Sequence, residues 1–137
     1  MQDSTDTKIT YKAIRDRANR DAQERMPDLP TCGTVEAWEA FQQEVEAIDT
    51  YDLANELSEW DWVIYYHSAM ELCLAVPGDV LTDAEDQAKD CGPSDEYGLF
   101  ETAFNCAYWI VNNEIAQAIE QVKEELTDLA QTAIDNQ

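Results

Sequence analysis

Between residues 26 and 88 the chain has no lysine or arginine, and over all 137 residues 8 bases stand against 30 acids, a formal net charge of −22. A surface so short of positive charge repels a phosphate backbone and an anionic membrane, so direct binding to nucleic acid or membrane is excluded. No apolar run approaches the ~18 residues that a membrane span requires. The opening Met1-Gln2-Asp3-Ser4-Thr5-Asp6 is neither basic nor apolar and does not read as a signal peptide, so a cytoplasmic protein is expected. There is one histidine, and the four cysteines, Cys32, Cys73, Cys91 and Cys106, show no CxxC spacing. Cys73 and Cys106 fall within apolar helical pattern and read as small buried hydrophobes. Cys32 and Cys91 lie in Pro/Gly loops where a disulfide could form, but without an export signal all four are expected to be reduced. Strand alternation is missing, as are internal repeats and Gly-rich loops.

What is present is helical periodicity in a chain of one domain's length, with an ordinary 45% hydrophobic content. Such a chain can bury roughly 68% of its unfolded surface, so it needs neither disulfides nor metal to hold a core. A basic-acidic helix over 8–25 carries Ile9, Ala13, Ile14, Ala18 and Ala22. The prolines and glycine of 26–33 end it. Thr34 then reads as the N-cap of a helix over 35–47 with Trp38, Phe41, Val45 and Ile48 inward. A short helix over 51–57 follows Asp49-Thr50. Ser58, with Asp61 three residues on, resembles a capping box that opens a helix over 59–76. This segment is apolar on most of its circumference and is expected to be the central core helix. Pro77-Gly78 ends it, and a helix over 80–89 has Val80, Leu81, Ala84 and Ala88 inward.

From 96 to 135 the pattern is one helix, with Phe100, Phe104, Ala107, Val111, Ile115, Ala118, Val122, Leu126, Leu129 and Ala133 in a stripe of mean spacing about 3.67, that of a straight α-helix. About 60 Å of helix exceeds the ~40 Å diameter of a compact domain this size. The helix is therefore expected either to bend at Asn112-Asn113 or to project and pair with a second copy, giving a homodimer. The expected fold is all-α: a single-domain bundle of about five or six helices with a long C-terminal helix, the 1–25 helix preceding an acidic body over 34–137.

Familiar chemistry finds little support. His67 has Glu71 one turn on, as a general base would, but no nucleophile or second histidine accompanies it, and a packed, hydrogen-bonded pair is the simpler account. The stretch Asp83–Asp90 is rich in carboxylates, yet a Ca²⁺ loop begun at Asp83 would need Gly at its sixth position and Glu at its twelfth, where Ala88 and Ser94 stand. A di-metal carboxylate bundle needs two Glu-x-x-His motifs, which one histidine cannot supply. Trp60 and Trp62 lie 200° apart on a helix, so one of them could be an exposed anchor, while Trp38 and Trp109 read as core. No metal, no cofactor and no enzymatic activity are expected.

The acidity is the loudest signal. Residues 1–25 hold six of the eight bases, and residues 26–88 hold 15 acids. Solubility asks for a net charge of only about 2–8 in a small domain. Like-charge pairs one turn apart (Asp52/Glu56, Asp79/Asp83, Asp86/Asp90, Glu120/Glu124, Glu124/Asp128) each destabilise a helix by about 0.2–0.5 kcal/mol, a repeated loss that suggests a use for the field. Glu36, Glu39 and Glu46 lie opposite Trp38 and Phe41. A rigid array of carboxylates at helical spacing can imitate the regular charges of a nucleic acid. In size, charge and expected helicity the whole chain resembles the phage-encoded acidic DNA mimics of the anti-restriction and anti-CRISPR type, a class without a shared motif. The resemblance implies an inhibitor that occupies the basic groove of a nuclease or CRISPR effector in the host cytoplasm. Expected contacts are Glu36, Glu39, Glu46, Asp49, Asp52, Glu56, Glu59, Asp79, Asp83 and Glu85. The basic first helix departs from a uniformly acidic mimic. An acidic chaperone or adaptor for a basic client competes with this reading, as does a salt-adapted helical protein without mimicry.

Overall fold

The computed structural model describes residues 10–58, 66–91 and 98–137, with side chains from 69 to 89 and from 105 onward in the last two segments. Among the described residues the fold is all-helical. The order is α1 (Tyr11–Glu24), α2 (Val35–Glu46), α3 (Thr50–Leu57), α4 (Tyr66–Ala75), α5 (Gly78–Cys91) and α6 (Gly98–Asp135). No described helix is long and apolar enough to cross a membrane.

Local chemistry sets the helix starts. Thr10 caps α1 by accepting from Ala13 N at 3.1 Å, and Thr34 does the same for Ala37 at the start of α2. Asp49 caps α3 by accepting from Asp52 N at 3.0 Å. Each oxygen satisfies a backbone N–H that has no partner within its helix. α5 starts two residues earlier than the apolar pattern predicts, because Pro77 can still offer its carbonyl, which accepts from Leu81 N at 3.0 Å. Ser58 departs from its expected role. It is the C-cap of α3, buried, donating to the Ala54 carbonyl and accepting from Asn112. The remainder of the expected capping box, 59–61, lies outside the described residues, as do Trp60, Trp62 and the His67 side chain.

The helix at the centre is α6, not the 59–76 segment. Among the described residues all five other helices pack on α6 and only weakly on one another, and the described part of 59–76, α4, contributes Ala69, Leu72 and Val76 to the shared core. Between 105 and 122 only Gln117, Glu120 and Gln121 of α6 are exposed. Ile110 and Ile119 are therefore buried alongside the expected Ala107, Val111 and Ile115. A one-sided stripe underestimates a helix covered from several directions. Beyond 122 the buried strip narrows. Ala130 is fully buried there while Leu129 is 45% exposed, the reverse of expectation. This end is covered by α2, where Phe41, Val45 and Trp38 close over Ala130 and Leu126. Cover for Leu126 and Ala130 at the end of the long helix thus comes from within the chain, while Leu129 stays exposed. On α1, Ile14, Ala18 and Ala22 are buried as expected, but Ala13 is exposed because it lies on the flank of that row.

α6 continues unbroken through Asn112-Asn113. The pair ties helices together instead of interrupting one. Asn112 Nδ2 donates to Asn55 Oδ1 at 2.9 Å and to Ser58 Oγ at 3.0 Å, and Asn113 donates to Gln87 of α5. Asn112 is 5% exposed, so these bonds replace water that cannot reach it. Asn112→Ala should cost about 1–3 kcal/mol, because Ser58 then loses its donor in the dry interior. Chemical denaturation would measure this, and a loss near zero would mean that the cluster is dispensable.

Cys32 and Cys106 are free thiols, Cys73 is half-buried, and the Cys91 side chain lies outside the described residues. Burial pushes the Cys73 thiol up to about 12, consistent with an inert packing role.

Candidate acidic interface

Hydrogen bonds along α6 fix how the acidic helices lie. Gln42 of α2 donates to the Thr127 carbonyl and to Gln131. Ile48, just past α2, has its carbonyl taken by Lys123 Nζ at 2.6 Å. Thr50 at the start of α3 donates to Glu120, and Asn55 and Ser58 at its end meet Asn112. As the chain advances from 42 to 58 its partners on α6 recede from 131 to 112. α2 and α3 therefore form one strip running antiparallel to α6 along a single side of it.

The inner edge of the strip is apolar, with Phe41, Val45, Leu53 and Ala54 buried. Its outer edge carries the acids. Glu36, Glu39, Glu46, Asp49, Asp52 and Glu56 are all exposed, as the helical spacing predicts. The structure adds neighbours remote in sequence. Glu46 lines a groove of about 400 Å³ together with Glu120, Gln121, Lys123, Glu124 and Thr127 of α6. Sequence reasoning flagged Glu120 and Glu124 only as a repulsive pair. Their membership of this face rests on α2 lying against the last third of α6, which no local pattern encodes. Lys123 sits among these carboxylates and offsets part of their repulsion while holding the end of α2, where unpaired carbonyls attract a cation.

Two expected contacts have internal duties. Asp49 caps α3, and Glu56 accepts from the Arg25 guanidinium at 2.7 Å. Asp79, Asp83 and Glu85 are exposed on α5, which docks on α6 at Asn113, next to the Asn112 that holds the end of the strip. Glu59 lies outside the described residues. Among the described residues no group of three or more His, Cys, Asp or Glu side chains could hold a metal ion.

The bases of α1 largely serve α1. Lys12 pairs with Asp16 at 2.7 Å and Arg17 with Asp21 at 3.8 Å, both one turn apart. Only the Arg25–Glu56 pair among the described ion pairs reaches another helix. Exposed pairs of this kind contribute little. With most carboxylates unneutralised, folding stability should rise with salt. The melting temperature at about 0.5 M NaCl should exceed that at about 0.02 M as the Debye length falls from above 20 Å to below 5 Å. A melting temperature indifferent to salt would mean that the acids are already compensated.

One carboxyl is unlike the rest. Glu114 on α6 is 4% exposed and accepts from the Tyr11 hydroxyl at 3.0 Å. Burial raises its pKa, and the Tyr11 hydrogen bond and the Arg15 charge only partly oppose this. A raised folded-state value favours the folded protein fully below the ordinary glutamate value of 4.5, and this advantage fades as pH rises through the shifted value. Stability should therefore increase as pH falls through that window toward 4.5, and Glu114→Gln should flatten the dependence. A parent whose pH dependence through that window is the same as that of Glu114→Gln would contradict this.

Compared with protein-family models, curated proteins and solved structures, the chain matches none.

Proposed function

We propose that this protein is a nucleic-acid-mimicking inhibitor whose α2–α3 strip, flanked by Glu120 and Glu124, occupies the basic DNA- or RNA-binding groove of a defence or DNA-processing protein of the nuclease or CRISPR-effector type. The observation that supports the reading is the strip itself, which is long, rigidly backed and regular in charge. It runs beside α6 from Gln131 to Asn112, about 28 Å of helix. Residues 36–56 hold seven acids and no base. Five of them fall on 42–58, the stretch that spans this length, one carboxylate per about 6 Å against one phosphate per about 3.4 Å along one strand of a duplex. The outward charges are set by the inward packing of Phe41, Val45 and Leu53, so the array is organised before any partner arrives.

Each contact to a basic groove would be a surface ion pair worth at most about 1 kcal/mol, so affinity must come from many acting together. The field also steers encounter with a basic partner. The test is affinity capture from cell lysate followed by competition with duplex DNA or RNA on the purified partner. Mimicry predicts that the captured protein has a nucleic-acid site and releases its nucleic acid as this protein binds. A partner that lacks such a site, or keeps its nucleic acid, would replace mimicry with the chaperone reading.

A further inference from the structure

Flanking the acidic groove, with Gln121 common to both, α1 and α6 form a cleft of about 470 Å³. Tyr11, Arg15 and Asn19 line it from α1, and Glu114, Gln117 and Gln121 from α6. The volume is within the range of sites for small molecules. Its lining is unusual for a seam between two packed helices, which would ordinarily be apolar.

At the cleft the buried Glu114 carboxylate has the Tyr11 hydroxyl on Oε2. A carboxylate has about four acceptor positions, so capacity remains on a group from which most water is excluded. Burial disfavours the Glu114 charge by more than the Tyr11 hydrogen bond and Arg15 together favour it. Lys12 is engaged by Asp16 at 2.7 Å. The exposed Arg15 guanidinium lies over the Tyr11 ring, 5.7 Å from its centroid, a contact that leaves its N–H edge able to bind an anion. The cleft thus offers a cation-seeking group within and an anion-seeking group on its wall. Asn19, Gln117 and Gln121, which line the same cleft, supply both donors and acceptors.

We infer that this cleft binds a small zwitterion, an α-amino acid with a polar side chain, its ammonium on Glu114 and its carboxylate on Arg15. The amides of Asn19, Gln117 and Gln121 receive the polar side chain. Neither a simple amine nor a simple carboxylate satisfies both ends of the cleft. Occupancy bridges α1 to α6 and uses no carboxylate of the acidic strip, although Gln121 borders both, so this inference stands or falls apart from the mimicry reading.

L-Glutamine is the probe, titrated by calorimetry into the full chain, with amide shifts of α1 and α6 followed by NMR. Saturable binding is expected, with shifts confined to residues around the cleft. L-Glutamine amide, which lacks the carboxylate, and N-acetyl-L-glutamine, which lacks the ammonium, should each bind about tenfold or more weakly, the loss of one charge-assisted contact. Glu114→Gln and Arg15→Met should each weaken glutamine by a similar factor, with circular dichroism verifying that both variants are folded. Three results would overturn the inference: no saturable binding up to about 10 mM, either analogue binding within twofold of glutamine, or both variants binding as the parent does.

Discussion

Replacing Glu36, Glu39 and Glu46 together by lysine should abolish binding to the basic partner and leave the protein folded. A single reversal should weaken binding by no more than about fivefold, because a partner's flexible lysines and arginines can turn to a neighbouring carboxylate one helical turn away. The triple variant leaves α2 a single acid, Glu44, which lies about 160° round the helix from Glu46. It loses three contacts worth up to about 1 kcal/mol each and adds repulsion of similar size, about 10²- to 10⁴-fold in affinity. All three side chains are exposed, and none is among the described ion pairs. Position 36 gives up a favourable acid in the first turn of α2, worth about 0.3–1 kcal/mol, but position 46 gains a cation in the last turn beside Glu120 and Glu124. Thermal melts of the triple variant should thus differ little from the parent. Asp83→Lys with Glu85→Lys on α5 serves as the comparison. If the α5 pair abolishes binding and the α2 triple does not, the partner engages another face. Binding by the parent should also fall steeply with salt. Affinity unchanged between about 0.05 and 0.5 M would be incompatible with a charge-matched groove.

Ile115→Ala should produce the largest loss of stability, about 2–5 kcal/mol. Ile115 is fully buried on α6 within the main core cluster, among residues of α1, α3, α4 and α5. The cavity would open in the element on which every other helix packs, where no single helix can shift to fill it without losing its remaining contacts. Against a typical total of about 5–15 kcal/mol, this is a large share. Denaturant titration should show a lower midpoint with an unchanged slope, the mark of a destabilised but still cooperative unit. Phe41→Ala offers a contrast. Phe41 belongs to the satellite cluster formed with Val45 and Ala130. Its loss should detach α2 locally, visible as faster amide exchange over 35–46, and weaken partner binding without touching a carboxylate. A cost below about 1 kcal/mol for Ile115→Ala would mean that α6 is not the common support described above.

Local signals were legible where local physics decides. Thr34 as a cap, the Phe41/Val45 stripe, the break at Pro77-Gly78 and the uninterrupted run to Asp135 each follow from an N–H without a partner, a 3.6-residue period or the presence or absence of a helix breaker. Exposure of Glu36, Glu39 and Glu46 followed equally, since the face opposite an apolar stripe must meet solvent.

Which helix lies at the centre was not legible. The 59–76 segment and α6 both have broad apolar character, and periodicity reports how much of a helix wants burial but not which neighbour provides it. Nor could it reveal that Asn112 fastens α3 to α6, that Glu114 is buried on Tyr11, or that Glu46 shares a groove with Glu120 and Glu124. Each depends on residues more than fifty positions apart. The sequence by itself determined an all-helical, base-poor chain with its acids turned outward, because charge and helical phase are properties of a single segment. Only the tertiary structure decided that α2 and α3 run antiparallel along α6 as one strip, because docking minimises the exposed apolar area of all six helices jointly, and that sum has no local term.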